Sequence, residues 1–416
     1  MTGPLWKVLP DGWLTGQVKN AATVTLGKML QSKDSGNDAR ASYMRAANVQ
    51  PNGVLALDDV NEMWFGEDEL KQLSIRAGDV VVVEGGQGGF GRAAYVDQDL
   101  PGWGFQNSIN RLRPIEDFDG RFIAFYLIAL RASGFIRAYS NVVSMPHLTA
   151  EKLARIPIPL PPVEDQAAIA DYLDRETARI DTLIEEQQRL IEMLRERRWS
   201  VVERSVALLD WHTPLKAVSV LIQTGPFGSQ LKSDEYEDGG TPIINPSHIV
   251  SGEVVPDPRI AVGAAKAARL ARHALAEGDL VAARRGELGR CAVVGPSAAG
   301  FLCGTGSALV RFDRNLLDPE FGAIVFSSRR NRDALALASV GSTMDNLNSD
   351  IIASLRVPVP TIAQQHGIVA EIKYATTKID TLIMETERFI ELSRERRSAM
   401  IMAAVTGQTD VRGTVA

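Results

Sequence analysis

The sequence predicts an α+β fold made of two copies of one unit, each a globular region of mixed strands and helices followed by a long helix. Three observations predict it. Ile180-Asp181-Thr182-Leu183-Ile184 recurs as Ile379-Asp380-Thr381-Leu382-Ile383, and Arg195-Glu196-Arg197-Arg198 recurs as Arg394-Glu395-Arg396-Arg397, both at an offset of 199 in a chain of 416 residues. A repeat of that period means that the chain is duplicated as a whole. Apolar side chains around each motif follow heptad spacing, which calls for a long amphipathic helix. Between the helical stretches lie short β-branched runs bounded by glycine, which call for strands.

The first globular region covers residues 1–155. Val80 to Val83, flanked by Gly78 and Gly85, reads as a buried strand. Gly85 to Arg92 is a tight glycine-rich turn, and Ala93 to Val96 returns as a strand. Tyr43 to Val49 is a short strand or loop, and Asn107 to Arg113 a further strand. Asp119 to Ala138 is helical, with Phe122, Phe125, Tyr126 and Leu130 on its apolar faces. The prolines between 155 and 162 exclude helix, because proline lacks the amide donor and holds its predecessor extended.

Residues 156–208 form the first helical spacer. Its seam is predicted at Leu173, Ile180, Leu183, Leu190 and Leu194, with Ile184 and Ile191 widening the stripe. About 40 residues of helix would span roughly 60 Å. The second globular region, 209–355, repeats the first loosely: Glu277 to Val281 matches Ala77 to Val81, Gly289 to Val294 matches Gly91 to Val96, and Ile243 to Ile249 matches Tyr43 to Val49. Spacing is kept while most side chains differ, so one scaffold presents two surfaces. The second spacer, 356–406, starts at another proline pair. Thr361 and Gln364 have capping-box spacing, and the seam is predicted at Ile372, Ile379, Leu382 and Phe389. Residues 407–416 are a polar, frayed tail. A long stripe must be buried, and it outruns what one globular region can cover. The two helices are therefore expected to pack on each other as an antiparallel coiled coil about a pseudo-twofold axis. The bland alternative is that each packs on its own globular region.

Bulk properties narrow the function. Hydrophobic residues make up 45% and charged residues 23% of the chain, as in a soluble globular protein. No apolar run reaches the roughly 20 residues that a bilayer demands, so no membrane partner is expected, and the location expected is the cytoplasm. Two cysteines, Cys291 and Cys303, allow no disulfide framework and no zinc set. The net charge of −6 counts against a nucleic-acid partner, although the deficit lies mostly in the helical stretches. Gly86, Gly88 and Gly91 satisfy a G-x-G-x-x-G pattern, but a strand follows where a dinucleotide fold needs a helix. Asn245-Pro246-Ser247-His248 departs from the methyltransferase signature at its last two residues. No nucleophile–base pair emerges, so no catalytic residue and no metal ligand is expected.

What remains is a set of side chains able to read base edges near turns. In the first region these are Tyr43, Arg45, Asn48, Gln87, Arg92, Asn107 and Ser108. In the second they are Ser229, Gln230, Lys232, Asn245, His248, Arg284, Arg285, Glu287, Arg290, Thr305 and Ser307. Arginine forks onto guanine, amides pair with adenine, and carboxylates accept from cytosine. Arg92 and Arg290 stand at matching positions behind the glycine turn.

Two variable regions alternating with two similar helical ones, each started by a proline pair and carrying Ile-Asp-Thr-Leu-Ile and Arg-Glu-Arg-Arg, resemble the DNA-specificity subunit of type I restriction–modification systems. The resemblance spans nearly the whole chain and is sharpest in the helices. It implies that each variable region is a target recognition domain for one half of a split, asymmetric site in double-stranded DNA. It implies that the helices dock two modification (methyltransferase) subunits, and that restriction subunits add translocation and cleavage. S-adenosylmethionine, ATP and Mg would be held by those partners, leaving this chain non-catalytic and without a cofactor. One departure is Gln364-Gln365, where the family commonly has an acidic residue before glutamine. The competing readings are a coiled-coil scaffold whose end domains bind proteins, and an enzyme using the glycine loop for nucleotides.

Overall fold

The structure is a computed structural model, and it describes residues 3–86, 89–115, 117–140, 147–226, 230–339 and 347–411. The chain divides into two compact units: residues 1–188 with 387–416, and residues 189–386. The division falls inside both long helices, Val163–Ala207 and Ile362–Val405. Each unit thus holds one globular region and a portion of each helix.

In the first unit a four-stranded antiparallel sheet has the order Ala22–Leu26, Ile109–Pro114, Val80–Val83, Ala93–Tyr95. Val80 to Val83 is fully buried on both faces. Val80 and Val82 join the core under helix Gly120–Ala132, while Val81 and Val83 join a second core with Tyr43, Phe65 and Phe105. Period-two alternation places these neighbours on opposite faces, so this strand is the plane between two cores. The second core is closed by a smaller sheet, Asn61–Gly66, Asp38–Met44, Gly104–Phe105, whose last pair is parallel. The Tyr43 stretch is therefore the end of a seven-residue strand and then a 3-10 turn, Ala46–Asn48. The helix expected over 119–138 is broken at Gly134, whose φ of +81° only glycine adopts freely. A second helix, Phe135–Tyr139, follows. The prolines of Pro157–Leu160 sit in a two-stranded pairing with Leu14–Gln17, where a missing donor can be tolerated.

The second unit repeats this plan. Its four-stranded sheet runs Ser219–Thr224, Ser307–Phe312, Leu280–Ala283, Cys291–Val293, and its smaller sheet Ala261–Val262, Thr241–Ile244, Leu302–Cys303. Three polar devices recur at matching positions. Asp79 receives Arg113 Nε at 2.8 Å, and Asp279 receives Arg311 Nε at 2.8 Å. Asp119 caps helix Gly120–Ala132, and Asp318 caps Pro319–Ser327. Gln166 Oε1 accepts from Asp119 N at 2.9 Å, and Gln365 Oε1 accepts from Asp318 N at 2.8 Å. Each glutamine also donates Nε2 to a proline carbonyl, Pro161 or Pro360. A buried amide paired on both ends ties the helix start to the globular region. The family-like departure at Gln364 is thus peripheral: Gln364 forms the cap with Thr361, and Gln365 keeps the buried role.

Within each unit the helix portions run antiparallel and share the globular core. In the first unit Ile169 and Leu173 pack in one cluster with Ile401, Ala404 and Val405, and Asp181 meets Arg397 farther along. In the second, Val206 and Val369 share a cluster and Arg198 meets Asp380. The two readings of the stripe therefore hold together in part: the helices pair, and each packs its first turns on its own globular region and its last turns on the other copy's. The buried residues of Ile362–Val405 are Gln365, Val369, Ile372, Thr376, Ile379, Thr386, Ile390, Ser393, Arg397, Ile401, Ala404 and Val405, a 4-3 spacing as far as Arg397 with half-buried Ile383 in its gap. In Val163–Ala207, Leu173, Thr177, Ile180, Ile184, Ile191 and Leu194 are buried.

This corrects half of the expected seam. Leu382 and Phe389 are 48% and 43% exposed, and Leu183 and Leu190 only half-buried. The buried partners lie one residue later, at Ile184, Ile191 and Ile390. Small polar residues, Thr177, Thr376 and Thr386, hold seam positions by donating their hydroxyls to backbone carbonyls of the preceding turn. Reading only apolar residues shifted the stripe. The tail is corrected as far as Val411, which is 3% exposed and packs in the first unit's core with Trp6; residues 412–416 lie outside the described residues.

Candidate nucleic-acid interface

In the first unit the expected base-reading residues converge on the turn Ala46–Asn48, but several are committed to holding it. Asn48 Oδ1 accepts from Arg45 N at 2.9 Å, and its Nδ2 donates to the Ala56 and Asp59 carbonyls at 2.8 and 3.1 Å. Both amide protons are used, so Asn48 shapes the turn. Ser108 Oγ accepts from Ala46 N at 3.2 Å. Tyr43 is buried in the inner core. These three are corrected from base-facing to structural in this fold. Arg45 is half-exposed and pairs with Asp59 at 2.6 Å. Asn107 is half-exposed beside Ser108. Arg92 donates Nη1 to Val49 O at 3.4 Å, and its Nε is buried without a hydrogen-bond partner among the described residues. Gln87 lies outside the described residues.

The second unit has the equivalent turn at Pro246–His248. His248 is buried, its Nδ1 2.8 Å from Ile243 O, and holds this turn as Asn48 holds the other. Asn245 lies against Gly304, where a Cβ would come within 2.3 Å of Oδ1. Arg285 is exposed and lies over Gly306, and Thr305 is half-buried beside it. Arg290 donates to Pro246 O at 3.3 Å and pairs with Glu287, which is also 3.8 Å from Arg332. Arg284 is held by Leu347 O at 2.8 Å, and burial lowers its affinity for the proton. Ser307 is fully buried, with no hydrogen-bond partner for its Oγ among the described residues, so it is corrected to a sheet residue. Gln230 and exposed Lys232 belong to a separate patch: Gln230 accepts from Arg272 at 3.0 Å. Ser229 lies outside the described residues.

The two turns therefore offer different chemistry on one framework. Where the second unit has Arg284, receiving Leu347 N on its carbonyl, the first has Glu84, receiving Leu148 N likewise. Glu84 pairs with His147 at 2.9 Å. Glu84, His147, Arg131 and Arg272 were missed by the sequence reading. Glu84 could have been found as the residue matched to Arg284, whereas Arg131 carries no local signal. Arg111 was missed too. It is buried, donates to the carbonyls of Gln72 and Ser74 and lies 5.4 Å from the Phe105 ring, and burial pulls it down to about 10. Among the described residues no His, Cys, Asp or Glu group could hold a metal ion, and no helix is long and apolar enough to cross a membrane.

The described residues thus hold a duplicated sheet framework, paired helices and two differently furnished turns. Residues 10–193 match the family model described as "Type I restriction modification DNA specificity domain". The chain is 24% identical over 427 residues to the type I restriction enzyme EcoKI specificity subunit of Escherichia coli K12, covering 96% of this chain and 90% of that subunit. Among solved structures, a chain from work on complex assembly and conformational transition of the type I R-M system covers 97% of this chain and 100% of its own, with 17% identity and a TM-score of 0.67. The HsdS subunit of Thermoanaerobacter tengcongensis covers 98% and 100%, with 18% identity and a TM-score of 0.50. The chain thus carries a match to a type I DNA specificity domain over residues 10–193 and is similar in sequence and fold to type I specificity subunits.

Proposed function

We propose that this chain selects the DNA sequence for a type I restriction–modification complex, reading a bipartite, asymmetric site in double-stranded DNA with one half per globular region. The observation that carries this is the equivalence of the two turns: the same strand, turn and hairpin present Arg45, Glu84 and Arg92 in one unit and Asn245, Arg284 and Arg290 in the other. Different donors and acceptors on one frame read different bases. The long helices dock two modification subunits, and restriction subunits join them. Methylation and cleavage belong to those partners, as do S-adenosylmethionine, ATP and Mg. The complex works in the cytoplasm.

Methylome sequencing of cells carrying the whole system tests the proposal. Exchange of residues 209–355 for another recognition domain should change one half-site and leave the other intact. A four-residue helical insert near Glu185 adds roughly 6 Å, equivalent to one or two base pairs at about 3.4 Å each. It should lengthen the gap between unchanged half-sites. An exchange that altered both half-sites, or neither, would overturn the assignment.

A further inference from the structure

At the two matched turns three residues differ together. Glu84 N donates to Ser108 O at 2.8 Å and Arg284 N to Gly306 O at 3.0 Å, and the strand registers pair Val83 with Ile109 and Ala283 with Ser307. Ser108 therefore matches Gly306, Gly85 matches Arg285, and Ala46 at the start of its turn matches Pro246. In the first unit the Ala46 amide needs an acceptor, and Ser108 Oγ supplies it at 3.2 Å. Proline has no amide proton to satisfy, so the second unit needs no hydroxyl at position 306. The glycine there leaves room that Arg285 takes: a Cβ on Gly306 would lie 2.7 Å from Arg285 Nε and 2.9 Å from Pro246 Cδ. The first unit has no side chain at the position of Arg285, and it carries a Cβ, that of Ser108, where the second needs none.

The three arginines of the second hairpin are not equivalent. Arg284 spends Nε on Leu347 O, and Arg290 spends its guanidinium on Pro246 O and Glu287. Arg285 is exposed, and its guanidinium makes no hydrogen bond or ion pair with a described residue. Its stem is confined beside a backbone and a rigid ring while its fork of donors stays open. Seating a long side chain in advance reduces the rotamer entropy that binding would otherwise remove. A planar, open fork complements O6 and N7 of guanine in the major groove. A phosphate contact asks only for charge, which an unseated lysine supplies as well, so the dedicated seat favours a base edge.

We propose that Arg285, seated over Gly306 beside Pro246, reads one guanine in the half-site of the second unit, a contact that Gly85 and Ser108 deny to the first unit at the matched position. This rests on the DNA-recognition reading above. The test measures equilibrium binding of the full chain, complexed with its modification subunits, to duplexes carrying its methylated site as mapped in cells. The exchange of residues 209–355 described above tells which half-site belongs to the second unit. Each guanine of that half-site is replaced in turn by 7-deazaguanine, which keeps its base pair and lacks N7. One replacement should weaken binding by roughly tenfold. Arg285→Ala should weaken binding to the unmodified duplex at least as much and should lose nothing further from that one replacement, as coupled groups do. Gly306→Ser, which installs the first unit's residue, should shrink the same penalty with the arginine still present.

A second half-site without a G·C pair overturns the proposal, and so does an Arg285→Ala complex that keeps the whole 7-deazaguanine penalty at every position. A loss equal on specific and unrelated duplexes, with the slope of log K against log salt lowered by about one, also overturns it and makes Arg285 a phosphate contact. An undiminished penalty in Gly306→Ser overturns the seat. A wild-type complex that does not prefer its mapped site over unrelated DNA sinks the DNA-recognition reading itself, before any variant is made.

Discussion

Arg397 of the second Arg-Glu-Arg-Arg motif is bound to Asp181 of the first Ile-Asp-Thr-Leu-Ile motif, with Nε 3.0 Å from the carboxylate. The reciprocal pair, Arg198 and Asp380, forms in the other unit at 2.6 Å. Each repeated motif thus finds its partner in the opposite copy. Charged seam residues that match at one register and leave charges unpaired at others specify alignment as well as stability.

The two pairs should differ in energetic weight. Arg397 is 6% exposed and otherwise donates to Asn52 O at 3.4 Å. Asp181→Ala leaves a buried guanidinium without its anion and should cost about 3 kcal/mol. Arg198 and Asp380 are 45% and 44% exposed, so Asp380→Ala should cost less than about 1 kcal/mol. Double-mutant cycles on denaturation midpoints measure both couplings, and equal couplings would contradict the burial argument.

Along the second helix, Ile390→Ala should destabilise the chain by about 2–4 kcal/mol. Phe389→Ala, at a 43% exposed position, should cost less than about 1 kcal/mol, as surface changes do. Thermal melts of the two variants check the order. A larger loss from Phe389→Ala would restore the seam expected from apolar spacing.

His273 makes the second unit sensitive to acid. It is 2% exposed, and Arg272 Nε lies 3.0 Å from its Nε2. Burial first, and then the Arg272 charge, hold its pKa below the ordinary 6.5. The unfolded state therefore takes up a proton that the folded state resists. The associated stability is present above about pH 6.5 and is lost as pH falls below it. Melting temperature should decline between pH 7.5 and 5.5, and His273→Gln should flatten that decline. An unchanged pH profile in the variant would remove His273 as the cause.

Cys291 and Cys303 report unfolding of the same unit. Both are buried, and burial pushes each thiol up to about 12. Thiolate is the reactive form, so neither should react with a thiol reagent at pH 8 in the native protein. Labelling rates should rise with urea along the unfolding curve. Fast stoichiometric labelling without denaturant would contradict this.

Much of the fold was legible because its signals in the sequence are periodic. The 199-residue offset, the valine run at 80–83 and the proline pairs each report local geometry, and they locate the strands and helices. The exact seam was not legible, because Thr177, Thr376 and Thr386 are polar residues that a helix can bury once the hydroxyl bonds the preceding turn. The site was legible by position more than by role. Arg92 and Arg290 were found by symmetry. Asn48, His248 and Ser108 have the side chains of base readers, yet their bonds to backbone groups decide that they hold turns.

The sequence by itself determined duplication, the α+β class, the two long helices and the absence of familiar catalytic motifs, since all follow from composition and spacing. Only the tertiary structure decided that Asp181 answers Arg397 and not its own copy's Arg198. It alone decided that Arg290 meets Glu287 while Arg92 meets no carboxylate among the described residues. Both facts depend on which groups meet across more than a hundred residues of chain, or across a hairpin, and free energy follows from those meetings rather than from the order of residues.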